Sequence, residues 1–333
     1  MNAALDIVAH GLGVTLQDFG RVGHRSIGVP LSGALDPLLL AAANALAGNP
    51  PEAAGLEVQL AGPTLRAAAG PLRLALAGEM GARLLAASGE RREVAAWSTA
   101  TLLAGDRLQI GSPRGIGYVA VAGGIRTPVQ LGSRSTYARA GLGLLPERLP
   151  CALFDGDPQV ERVAAAPFVH AGGPIRVIVG PQADHFGADA IDTFFGGAFV
   201  VTLARDRMGL RLAGPALRHG PRGADIVSDG VTPGAIQVPA DGRPIVLLAD
   251  CQTVGGYPKI ATVIRADLPR LAHLQPGDEV RFCAVSAAEA AAARTDQARR
   301  FAVWQAAIQL RRHDASALLA ANLAGTAVRG DEE

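Results

Sequence analysis

The sequence predicts a mainly β protein with peripheral helices, on three observations. Apolar runs of four to eight residues recur between Gly, Pro or Asp, as in GLEVQLAG, PLRLALAG, GIGYVAVAGG, PIRVIVG, GAFVVTLA and GDEVRFCAV. That length and punctuation belong to strands. Helical stretches are few and carry readable start and stop signals. Finally, LAGPTLR at 60–66 returns as LAGPALR at 212–218, and AGDRLQI at 104–110 is echoed in the same order by PGDEVRF at 276–282. At 333 residues the chain has the length of two domains of roughly 150 residues each, and the echoes read as a duplicated β domain.

The strands begin with LDIVAHGLGVTLQD. Asp36 followed by Pro37 then makes an N-cap and N1 pair opening DPLLLAAANALAG, with Gly48 placed to end the helix. Strands resume until RVAAAPFVHAGGP, residues 162–174, where Ala, Pro and Gly replace patterned segments; the boundary is expected there. We therefore expect one β domain over 1–165, a second over 166–285 and a helical extension over 286–333. In VPADGRPIVLL, Asp241-Gly242 between two apolar runs predicts a hairpin, because both turn residues tolerate positive φ. DLPRLAHL repeats the Asp and early-Pro helix start from Asp267. The alanine-rich stretch from Ser286 to about Arg312, then DASALLAANLAG with Gly325 as stop, reads as one or two helices that cover the outside or make a dimer contact.

Composition narrows the function. Charged residues are 18% and nearly cancel at +1, and aromatics are 4%, so neither a polyanion nor an anionic membrane is indicated as partner, and no base-stacking platform is present. Cys151, Cys251 and Cys283 are odd in number and form no C-x-x-C pair, which fits a reducing cytoplasm better than a disulfide framework or a zinc knuckle. The start MNAALDIVAHGLGV lacks a basic n-region, and no run of eighteen uncharged apolar residues occurs; a cytoplasmic chain is expected. No G-x-x-x-x-G-K-[ST], H-E-x-x-H or G-x-S-x-G is present, and the seven histidines share no short spacing, so no metal site is expected.

Two glycine-rich polar clusters remain. The first, LQDFGRVGHRSIGVPLSGALDP, carries Gln17, Asp18, Arg21, Ser32 and Asp36 on an irregular loop; Asp36 could simply cap its helix, and Asp18 could pair with Arg21. The second spans residues 228–263. There PIVLL delivers Asp250, Gln252 and Thr253 to a loop holding Gly255, Gly256, Tyr257 and Lys259, with Gln237 on the preceding strand. Lys259 is the only lysine beside thirty arginines. Its compact charge suits a point clamp on phosphate or carboxylate, or an acid/base role, in a way a planar guanidinium does not. Glycines there let backbone N–H groups approach an oxyanion. Cys251 has no histidine near in sequence and reads as a half-buried thiol.

These clusters, with GYVAVAGGI, LGSRSTY, IRVIVGPQADHF and DRMGLRLAGP, resemble the allophanate hydrolase subunit 2 family, also described as biotin-dependent carboxyltransferase-like or kinase-inhibitor antagonists (KipA-like), over about Val14 to Val285. Within it they lie nearest the branch serving prokaryotic ATP-dependent 5-oxoprolinase. The resemblance implies two cyclophilin-like β-barrels, a partner B subunit of related, KipI-like fold and a lactam-handling A subunit, together opening 5-oxoproline to glutamate with ATP and Mg²⁺. Another branch transfers carboxylate from carboxybiotin to urea, which would need a separate biotin carrier, and a third is a non-catalytic antagonist of a kinase inhibitor. Both enzymatic branches handle a small planar amide that needs donors for its carbonyl and an acceptor for its N–H. Gln17, Ser32 and Gln252 are expected as donors, Asp18 or Asp36 as acceptor, Lys259 as charge clamp, and Asp250 as Mg²⁺ or lactam holder. His24, Cys251 and the segment AGLGLLPERLPCALF depart from the family pattern.

Overall fold

The computed structural model describes residues 3–312. Strands dominate, and among the described residues there are four α-helices: α1 (Pro37–Ala47), α2 (Ala188–Gly196), α3 (Leu268–His273) and α4 (Ala287–Ala306). In the first half a six-stranded sheet, built on Ala3–Ala9, Thr64–Ala67 and Arg107–Ile110, faces a five-stranded sheet centred on Arg114–Val121 between Gly55–Ala61 and Leu72–Glu79. In the second half a nearly closed eight-stranded sheet is antiparallel except where Ile175–Val179 lies parallel to Phe282–Ala284.

Strand periodicity explains how α1 finds its seat. In Leu72–Glu79 the residues Leu72, Leu74 and Leu76 join the core between the two sheets, while Ala75 and Ala77 face the other way. Arg114–Val121 does the same, with Val119 and Val121 on one side and Ile116, Tyr118 and Ala120 on the other. Successive side chains of a strand point to opposite faces, so a strand buried on both faces reads as a continuous apolar run. The small alanines on the second face let α1 pack closely. That second core continues into the other half, through Phe194, Phe199 and Phe282.

Several local expectations hold. Asp36 Oδ1 accepts from the Leu38 and Leu39 N–H groups, and Gly48 ends α1 at φ 82°. Gly242 takes φ +71° in the turn joining Ala235–Gln237 to Ile245–Leu247. The echoed Gly-Asp turns match in detail: Asp106 accepts from Leu103 N–H at 2.8 Å, and Asp278 from Gln275 N–H at 2.7 Å.

Two expectations are corrected. Asp267 does not cap α3 with its side chain; its carboxylate is bound by Arg176 instead. Residues 308–312 are not helical. They form a strand paired antiparallel with Val160–Ala164, because α4, opened by a Ser286–Glu289 capping box, ends at Ala306 with Ala307 as its C-cap and β-compatible residues IQLRR follow. The predicted helix DASALLAANLAG lies outside the described residues.

Candidate functional site

The amino-terminal loop doubles back on itself, and its glycines permit this. Arg21 N–H donates to Leu31 O at 2.7 Å, and a Cβ on Gly33 would stand 2.8 Å from the Gly20 nitrogen. Asp18 locks the fold of this loop to the segment Ser133–Ser135. Its carboxylate accepts from Gly20 N–H, Arg134 N–H and the hydroxyls of Ser133 and Ser135, at 2.5–2.8 Å. Burial raises the Asp18 pKa, but these donors outweigh it and hold the carboxyl below its ordinary value. Asp18 and Arg21 make no ion pair. Arg21, fully buried, donates through Nη2 to Ser135 O.

Three residues singled out in this loop carry buried polar atoms without a hydrogen-bond partner: Gln17 Oε1, Arg21 Nε and Nη1, and Ser32 Oγ. Ser32 also sits at φ 52°, rare for a residue with a side chain. Buried unmet polar groups cost roughly 1–3 kcal/mol each and gather where a ligand is to be bound. Gln17 keeps its amide N–H groups on Thr15 Oγ1 and Thr136 O.

Asp36 is deeply structural. Its Oδ2 is bonded to His170 Nε2 at 2.6 Å and His273 Nε2 at 2.8 Å, and its N–H donates to Tyr118 Oη. Burial disfavours its charge, but the two histidines outweigh that and hold the pKa far below the usual carboxylate range. Sequence spacing could not reveal this trio, since the histidines lie 134 and 237 residues away.

Asp250 is also engaged. Arg207 donates Nε and Nη2 to its two oxygens at 2.9 and 3.1 Å, Nη1 to Glu57 at 2.5 Å and Nη2 to Gly33 O at 2.6 Å. One guanidinium thus joins both halves to the amino-terminal loop, and both oxygens of Asp250 accept from it. Beside it Cys251 is fully buried, and burial pushes its thiol up to about 11, the opposite of a nucleophile's environment.

The carboxy-terminal loop closes on a two-residue ladder, Asp229–Gly230 against Val254–Gly255. Lys259 starts the strand behind it, and its side chain is only 5% exposed. Its Nζ donates to Asp229 Oδ2 at 2.7 Å and to Gly230 O at 3.3 Å, while Asp229 itself is 54% exposed. The ammonium is therefore buried along its stem and tied at its tip to a solvent-facing carboxylate. Gln237, opposite Lys259 in the ladder, is linked to Gln252 by a long 3.4 Å contact and to Tyr257 O at 3.5 Å. A Cβ on Gly255 would stand 2.5 Å from Gln237 Nε2, so a side chain there would displace that amide. Thr253 contributes its carbonyl to Val231 N–H, Gly256 its carbonyl to Ile226 N–H, and Tyr257 is 41% exposed at the rim.

The two clusters meet. Arg25, in a single 3-10 turn of the amino-terminal loop, donates to Val231 O and to Gln252 O, and Ser32 N–H donates to Ala249 O at 3.0 Å. Arg25, Glu57, Arg207 and Asp229 were not singled out from sequence. Arg207 stood inside the motif DRMGLRLAGP, but nothing local distinguishes it from the other arginines. The assembled surface is rich in incompletely used donors, which suits a carbonyl or anionic oxygen.

Comparison with known proteins identifies the family. The carboxyltransferase domain family, subdomain A and B, matches residues 27–284. The chain is 36% identical over 311 residues to the C subunit of 5-oxoprolinase from Escherichia coli, covering 89% of this chain and 96% of that one. Among solved structures, TTHA0988 aligns with a TM-score of 0.73 at 34% identity, over 84% of this chain and 56% of its own. Urea carboxylase of Kluyveromyces lactis aligns with a TM-score of 0.77 at 27% identity, over 90% of this chain but 29% of its own. The chain thus spans nearly all of the first relative and only part of the longer two. It belongs to the carboxyltransferase-domain family of subdomain A and B type.

Proposed function

We propose that this chain is a subunit of an ATP-dependent 5-oxoprolinase complex, in which it grips the lactam of 5-oxoproline while the ring is opened to glutamate. The observation that carries this reading is the set of buried donors without partners on the amino-terminal loop, Arg21 Nε and Nη1 and Ser32 Oγ, which Arg25 ties to the loop that holds Lys259. Lactam carbonyls are poor electrophiles, and any activation places negative charge on the carbonyl oxygen; prepositioned donors stabilise that charge without reorganising. Lys259 supplies the mobile charge, since its bond to an exposed carboxylate is readily exchanged for a ligand oxygen. Arg21, Ser32 and Gln17 supply fixed polar contacts. Asp250 orients Arg207 rather than substrate. Asp250 and Asp229 are each already paired with a cationic side chain, and we assign ATP and Mg²⁺ to the assembled complex. Exposed Val22 and Ile27 on one loop, and Val254 and Tyr257 on the other, form the rim on which a B subunit of related, KipI-like fold and a lactam-handling A subunit would close the site.

The test is reconstitution with both partner subunits. ATP hydrolysis is expected only with 5-oxoproline present, and Lys259→Ala is expected to lower it about 100-fold or more with an unchanged circular dichroism spectrum. Wild-type turnover in the variant would remove the lysine from this role. The likeness to urea carboxylase supports a second reading, carboxyl transfer to a small amide from a separate biotin carrier. Incorporation of labelled bicarbonate into urea with added carrier, without 5-oxoproline-dependent ATP hydrolysis, would replace the first reading with this one.

A further inference from the structure

We propose that Asp36, His170 and His273 form a binding site for one divalent transition-metal cation of the zinc class, which clasps the two halves of the chain together. The three ligand atoms come from separate places: the N-cap of α1, the segment between the halves, and the last residue of α3. They all lie within 4.8 Å of one another. Two imidazoles and one carboxylate are a donor set for zinc and its neighbours rather than for magnesium or calcium, which prefer oxygen.

The carboxylate is held as a ligand would be. Both helix amides bind Oδ1, leaving Oδ2 alone to face the two rings. Asp36, Glu57 and Asp250 are buried and belong to one network, linked by Tyr118 Oη, which accepts from Asp36 N–H and donates to Glu57 at 2.6 Å, and by Arg207. Arg207 serves Glu57 and Asp250, and among the described residues no lysine or arginine pairs with Asp36. Among the described residues, only the two imidazoles face Asp36 Oδ2.

The present spacings of 2.6 and 2.8 Å are those of N–H···O contacts. Around a tetrahedral zinc, with bonds of about 2.0–2.1 Å, ligand atoms stand about 3.3 Å apart. Uptake therefore replaces the two bridging protons with one cation, and the rings withdraw by about 0.5–0.7 Å. His273, 28% exposed, leaves a side open for ion entry and for water as fourth ligand. A metal-bound ring needs an acceptor at its other nitrogen. His170 Nδ1 has no protein partner, but His170 borders a cavity of about 330 Å³ that Glu289 and Asp296 also line, room enough for a bridging water.

The experiment strips the full-length chain with a chelator and titrates it with Co²⁺, then Zn²⁺. Expected are one equivalent bound per chain, visible d–d absorption from low-coordinate Co²⁺, its loss on adding Zn²⁺, and a rise in the unfolding midpoint. His170→Gln and His273→Gln keep an N–H donor for Asp36 but remove a ligand, so each is expected to fold and to bind about 100-fold more weakly or worse. Lys259→Ala is expected to bind Co²⁺ as the wild type does, which separates this site from the proposed lactam site. Failure of the wild type to take up stoichiometric Co²⁺, or wild-type affinity in both Gln variants, overturns the proposal. Should a Gln variant not fold, X-ray absorption on the Co²⁺-loaded wild type decides by counting imidazoles: two support the site and fewer overturn it.

Discussion

The two loops that meet at the candidate site are built on opposite plans. In the amino-terminal loop the carboxylates are saturated: Asp18 takes bonds from Gly20, Ser133, Arg134 and Ser135, and Asp36 is engaged on both oxygens. Its unmet groups are mainly donors, Arg21 Nε and Nη1 and the Ser32 hydroxyl. The carboxy-terminal loop instead presents a cation held by a single, half-exposed carboxylate and a long carbonyl contact. The contrast teaches which polar groups are framework and which are free for work. A carboxylate with every lone pair occupied has no capacity to spare for substrate; a buried donor without a partner does. Residue type alone, which made Asp18, Asp36 and Asp250 attractive, does not distinguish the two cases.

Arg207→Met tests the framework side and should have the largest effect on stability. It leaves Glu57 and Asp250 buried without their shared cation, and urea unfolding is expected to show a loss of about 3–5 kcal/mol. A loss under about 1 kcal/mol would mean that the loops are held together by other contacts.

Asp18→Asn comes next. The folded Asp18 pKa lies below its unfolded value, so its contribution is present above the unfolded pKa of about 3.9 and is lost as pH falls through the lower folded value. The variant is expected to lose about 1.5–3 kcal/mol at neutral pH, as charged hydrogen bonds are weakened. It should also show a flatter decline of stability than the wild type from about pH 5 downwards. A variant whose pH profile superimposes on the wild type would place the acid sensitivity elsewhere.

Ser32→Ala probes the opposite plan and should be nearly silent in stability. Removing an unmet hydroxyl costs nothing in hydrogen bonds, and the change is expected within about 1 kcal/mol in either direction. Turnover of the reconstituted complex should nevertheless fall. A clear loss of stability with full turnover would move Ser32 to the framework.

Much of the fold was legible locally. The short apolar runs, the Asp36-Pro37 start and Gly48 stop of α1, the Asp241-Gly242 turn and the paired Gly-Asp turns all express preferences of a few neighbouring residues. Asp106 and Asp278 make the same contact three residues back because the local sequence A/P-G-D-x-[LV] permits little else. The strand 308–312 was missed for the matching reason: an alanine-rich helix runs into it, and only its partner Val160–Ala164, far back in the chain, makes it a strand.

The site divides along the same line. Residue types in sequence order marked the two glycine-rich loops and the single lysine, and the resemblance of whole motifs marked the family. Folding assigned the partners. Asp250 became Arg207's counter-ion, Asp36 gathered His170 and His273, and Arg25 reached across to Val231, all through contacts between residues dozens to hundreds of positions apart. Electrostatic pairing falls off within ångströms and takes no account of sequence distance. Which charges remain open for chemistry is therefore settled only when the halves pack together.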